Sequence, residues 1–169
     1  MLFTYTAVAL AVLACITDVR SRRIPNVLTF GATIAAVALH GFAAGPSGFV
    51  FSATGWLVGT ALFFPFFALG GLGGGDVKLL GAIGAFVGVP VVIFVGLYSA
   101  IAGGVLAVIV AVRTGYLRTA LRNLYYFLTY WKTFGLKPVE GFELAHSQAP
   151  RLAYALPVLT GLLVTLWLQ

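Results

Sequence analysis

Acidic side chains are nearly missing from this sequence, which holds only four Asp and Glu together in 169 residues. Cysteine is scarcer still. Cys15 stands alone, so no disulfide framework or thiolate zinc site can form within one chain. The two histidines, His40 and His146, lie far apart and make no metal constellation, so neither metal nor cofactor is expected. Charge of either sign is rare, 8% of residues against about 25% in ordinary soluble domains. Polar surface on that scale cannot cover a water-facing exterior, and lipid must do the covering.

What fills the chain instead is apolar, 61% of residues. A helical crossing needs about 20 such residues. The runs predict an all-α polytopic membrane protein with about six transmembrane helices, near 2–17, 27–43, 50–69, 77–89, 91–112 and 151–168. The fourth is short, and Pro90 separates it from the fifth. Val12-Leu13-Ala14-Cys15 has the form of a lipoprotein cleavage box. No basic residue precedes the run, so a first membrane helix is expected rather than a cleaved signal. Gly41/Gly45, Gly55/Gly59 and Gly84/Gly88 have the four-residue spacing that lets helix backbones approach closely.

Ten Lys and Arg would suggest nucleic acid in a soluble protein. Here they fall between apolar runs, so no nucleic-acid partner is expected. With 18–26, 70–76 and 113–150 on one side, all ten lie there or at adjoining helix ends. The opposite loops, around 44–49 and near Pro90, have none. That side is therefore expected to be cytoplasmic. Leu117, Ala120, Leu121, Leu124, Leu128 and Trp131 recur at helical spacing, with Arg118, Arg122 and Lys132 between them. This predicts an amphipathic helix against membrane lipid within 113–150. Residues 1–169 read as one domain.

Four carboxylates make a short search. Glu140 and Glu143 sit in the polar segment and are expected to be solvated. Asp18 and Asp76 sit where apolar runs meet the basic side, and charges near hydrocarbon are costly unless they have a role. Brought together, two carboxylates share one proton, so one acts as base toward a water while the other polarises a carbonyl. Gly70-Gly71-Leu72-Gly73-Gly74-Gly75 precedes Asp76 and leaves room for an extended substrate. The bland alternative is a hairpin with Asp76 as helix cap. Around Asp18, Pro25 stops one helix and Asn26 is suited to cap the next, while Arg20 or Arg22 could pair with the aspartate.

Asp18-x-Arg20-x-x-x-Ile24-Pro25-Asn26 and Gly73-x-Gly75-Asp76-Val77-Lys78-Leu79-Leu80 resemble the two signatures of prepilin peptidases. The second is the Gly-x-Gly-Asp motif of intramembrane aspartyl proteases. Tyr154-Ala155-Leu156-Pro157 is similar to a looser third element. The resemblance implies an aspartic endopeptidase that removes the basic leader of type IV prepilin and pseudopilin precursors at the cytoplasmic face of a bacterial inner membrane. It implies Asp18 and Asp76 as the catalytic pair. Gly73, Gly75, Arg20 and Lys78 are candidate substrate contacts, although snorkelling to the headgroups is the favoured reading of Lys78. The short form, without a cysteine-bearing insertion, is similar to Flp-type peptidases and implies no methyl transfer. Archaeal preflagellin peptidases are the alternative within the family. Outside it, a proton- or cation-coupled transporter using Asp18 and Asp76 is the alternative.

Overall fold

A computed structural model describes residues 2–68, 71–119, 121–122, 125, 129 and 153–169. They belong to two compact units, Met1–Gly103 with Ala153–Gln169, and Gly104–Leu152. Among the described residues the regular structure is all helical, and its main elements are α1 (Leu2–Ser21), α2 (Asn26–Ala68), α3 (Gly74–Arg113) and α4 (Ala155–Trp167). Of these, α1, α2 and α3 are long and apolar enough to cross a membrane, and α4 is a shorter apolar helix. Large side chains such as Val27 and Phe42 are 85% and 90% exposed, as only a lipid-facing surface tolerates on this scale. The chain is an integral membrane protein.

The two longest helices are each folded back on themselves. Gly45 interrupts α2 at φ 62°, ψ −141°, and Gly88 interrupts α3 at φ 79°, ψ 175°. Both are conformations that glycine adopts and residues with a Cβ avoid. In an unbroken helix, residues 40 and 48 would lie about 12 Å apart. Instead a Cβ on Gly48 would fall on the His40 carbonyl, and one on Gly96 would lie 3.6 Å from Leu80. Pro46 and Pro90 follow the breaks, where a helix start does not miss the absent N–H.

Residues 74–87 of α3 form the centre of the larger unit. From Asp76 to Phe86 every side chain except Lys78 is buried, so this short helix is shielded by protein on all sides. Lipid tails are as apolar as leucine, and close contact rather than a hydrophobic drive holds such helices together. Here the contact is backbone on backbone. A Cβ on Gly55 would strike the Gly84 carbonyl, and one on Gly84 would strike the Gly55 carbonyl. Gly59 meets the Leu80 carbonyl in the same way, and the Ser52 hydroxyl donates to the Ala85 carbonyl at 2.9 Å. Among the paired glycines read from sequence, Gly55, Gly59 and Gly84 pack closely. Gly41 faces open space, and Gly45 and Gly88 serve as breaks.

On α1 the buried residues are Ala7, Leu10, Ala11, Ala14 and Asp18, a single stripe at three- and four-residue spacing. That stripe packs chiefly on α4, whose own buried stripe holds Ala155, Val158, Gly161, Leu162 and Thr165. Gly161 in turn lies against Ser99 of α3. In the smaller unit, α3 ends near Arg113, and Gly115 turns the chain at φ 70°. Most of the expected amphipathic helix, including Ala120, Leu124, Leu128, Trp131 and Lys132, lies outside the described residues. So do Glu140, Glu143 and His146.

Gly84→Ala is expected to destabilise the protein by about 1–3 kcal/mol, because the facing atom is a backbone carbonyl that cannot swing aside. Gly41→Ala meets nothing and is expected to be neutral or slightly stabilising. Thermal unfolding in detergent checks the contrast, and equal shifts for both variants would speak against the backbone contact.

Candidate active site

Asp18 owes its position to helical periodicity. It stands one turn beyond Ala14 on the buried stripe of α1 and is only 7% exposed. The Arg22 N–H donates to the Asp18 carbonyl at 2.8 Å, and Arg22 takes φ 54°, so the helix ends in a left-handed residue. Asp18 therefore lies within the last turn of α1 rather than beyond it. Its carboxylate Oδ2 accepts the backbone N–H of Ala155 at 3.1 Å. Ala155 opens α4, so an orphan amide at a helix N-terminus faces the carboxylate, a favourable place for negative charge. Pro157 fits this first turn, where no N–H is needed.

Asp76 is 8% exposed and occupies the third position of α3. The sequence offered it as a helix cap. In the structure it reaches back instead, its Oδ2 accepting the Gly73 N–H at 3.3 Å while its own N–H donates to the Gly73 carbonyl at 3.1 Å. This is the returning half of a capping box. A Cβ on Gly75 would lie 3.2 Å from Ile24. The glycine run thus lets the start of α3 settle against the loop of the first motif.

The two carboxylates, one at the end of α1 and one at the start of α3, lie within electrostatic reach of each other. Tyr154 joins them. Its phenol is within electrostatic reach of Asp76, its ring meets Phe63 edge-on at 5.8 Å between centroids, and its hydroxyl packs where a Cβ on Gly103 would be. The next residue supplies the amide to Asp18. Sequence reading gave Tyr154 and Ala155 no role beyond the looser third element. Pro157 just inside a helix start was the available signal.

The other candidate residues are placed differently. Arg20 is exposed on the last turn of α1. Lys78 donates to the Asn26 side-chain oxygen at 2.9 Å and lies over the Phe30 ring at 5.1 Å from its centroid. This engages the ammonium with the start of α2 rather than with a carboxylate. Asn26 is thereby not the cap of α2. The Pro25 carbonyl accepts the first helical bonds, from Leu28 and Thr29. Gly73 and Gly75 shape the Asp76 turn, through the bond to Gly73 and the contact with Ile24.

Compared with protein families, residues 5–108 match the type IV leader peptidase family, a span that takes in both aspartates. Searches of curated proteins and of solved structures find no match.

Since an amide oxygen can replace a carboxylate oxygen as acceptor, Asp18→Asn is expected to keep the Ala155 bond and the fold. Asp18→Ala leaves the amide unpaired and is expected to cost about 1.5–3 kcal/mol. Asp76→Ala is expected to cost about 0.5–2 kcal/mol through the lost cap. Unfolding midpoints of these three single variants in detergent test this ordering.

Proposed function

Because this chain belongs to the type IV leader peptidase family, we propose that it is an aspartic endopeptidase in which Asp18 and Asp76 activate a water against the leader junction of a prepilin. Family membership carries the general role, a membrane peptidase acting on prepilin-type precursors. The observation that carries the mechanism is the placement of the aspartates. Both are buried, on different helices, at helix ends within electrostatic reach. A buried pair of carboxyls costs least when it holds one proton between them, and that state serves hydrolysis. The ionised partner takes a proton from water as its oxygen attacks the scissile carbonyl. The protonated partner donates to the carbonyl oxygen, and the proton passes to the leaving amine. The pair titrates as a unit, so the two parts are not assigned to individual residues.

The substrate reading is a Flp-type prepilin or pseudopilin, with a basic leader followed by an apolar helix. The site would face the cytoplasm of a bacterial inner membrane. Three helix ends support a common level for the site: the close of α1 and the openings of α3 and α4. The breaks at Gly45 and Gly88 divide α2 and α3 into two arms each and support six crossings; the proposed arrangement is completed by 1–169 as one peptidase domain with 113–150 at the membrane interface.

Co-expression of a Flp-type prepilin with wild type, Asp18→Asn or Asp76→Asn tests the proposal, with the product read by mass spectrometry. Wild type is expected to release the leader at the junction before the apolar helix, and both variants to leave the precursor whole. Normal cutting by both would remove the aspartate mechanism. The rate of wild type in detergent is expected to fall at both ends of its pH range. At low pH both carboxyls are protonated and no base remains; at high pH both are ionised and no acid remains. A rate that only rises with pH would contradict the shared proton.

A further inference from the structure

A half-open cleft of about 300 Å³ is lined by residues on either side of Asp76 in the first turn of α3, though not by Asp76 itself. Gly74, Val77 and Lys78 line it from the same turn of α3 that carries the aspartate, and Thr33 and Trp56 line it from the two arms of α2. Phe30, Phe64 and Phe67 also line it and are 48%, 55% and 43% exposed, so aromatic rings form a rim on the lipid-facing surface. The polar groups in this cleft are largely spoken for. The Thr29 and Thr33 hydroxyls donate to their own helix, at 3.2 Å to the Asn26 carbonyl and 2.9 Å to the Thr29 carbonyl. The Lys78 ammonium is held by Asn26. The buried Thr60 hydroxyl has no hydrogen-bond partner among the described residues, so an occupant meets mostly apolar wall with one hydroxyl open to it, flanked by one fixed positive charge.

We infer that this cleft is the subsite for the first apolar side chains of the mature segment, immediately beyond the scissile bond. The inference rests on the peptidase reading and adds to it a place and a direction for the substrate. Because Gly74, Val77 and Lys78 belong to the turn of α3 that carries Asp76, a chain in the cleft lies within a few residues of a bond cleaved at that aspartate. The fixed charge of Lys78 disfavours a basic leader there, so the leader runs the other way and the apolar segment enters. The aromatic rim faces lipid, so a precursor anchored in the bilayer reaches the cleft by lateral movement without drawing its apolar helix through water. A volume near 300 Å³ is the lower end of pockets that hold small ligands, which suits one or two side chains and not a whole helix.

Two measurements test it. Thr33→Phe places a ring in the cleft. Its kcat/KM is compared for a Flp-type prepilin and for the same prepilin with the residues just beyond the junction changed to alanine. The ratio between bulky and alanine substrates is expected to fall roughly tenfold or more relative to wild type. A ratio equal to that of wild type overturns the assignment, whatever the absolute rates. Separately, a benzophenone side chain is placed at Thr33 in an Asp76→Asn background, with Ile34, 69% exposed, as the lipid-facing control. Adducts from position 33 on the first residues beyond the junction are expected. Adducts on lipid alone, on the leader, or none at all overturn it. If Asp76→Asn still cuts the precursor, the aspartate mechanism fails, and the adduct position on the product still decides the subsite.

Discussion

Hydrocarbon gives two helices no reason to associate beyond the quality of their contact, and in this protein the decisive contact is made without side chains. Gly55 and Gly84 press carbonyl against Cα, and Gly59 does the same to Leu80 one turn away. Such Cα–H···O approaches contribute about 0.5–1 kcal/mol each, and they bring neighbouring side chains into range. The short central helix depends on them. Its length would not span a bilayer alone, yet with its side chains from Asp76 to Phe86 enclosed, apart from Lys78, it need not meet lipid. The position of Asp76 follows, because the helix that carries it is fixed along nearly its whole length.

The treatment of charge follows from the same scarcity of polar groups. Each aspartate is met by a backbone amide at a helix start, Ala155 for Asp18 and Gly73 for Asp76. An amide dipole steadies a carboxylate's orientation without adding a full positive charge to the site. A cation bound tightly to either group would favour its ionised form and oppose the sharing of a proton. Lys78, the cation nearest in sequence to Asp76, is turned toward Asn26 and Phe30. Fixed dipoles at the acids and a cation directed elsewhere suit the shared proton that the proposed mechanism requires.

Much of this was legible in the residues. The apolar runs showed helices, and the two aspartates stood out because only four carboxylates exist. The glycine spacing identified Gly55, Gly59 and Gly84 but could not separate a packing glycine from a breaking one. Gly45 and Gly88 share the spacing, and only their backbone angles distinguish them. The Asn26 cap failed because the Pro25 carbonyl already starts the helix and a lysine 52 positions away takes the side chain. The Ala155 amide was invisible for a related reason. A backbone N–H has no letter in a sequence, and its partner lies 137 residues earlier.

That separation has a consequence for how the protein is made. Asp18 leaves the ribosome more than a hundred residues before the amide that holds it. Until α4 has been synthesised and packed on α1, the first aspartate lacks its fixed partner. A nascent chain that has already inserted both acids is therefore still without its assembled centre. On the proposed mechanism, hydrolytic competence would arrive only after α4 has packed on α1.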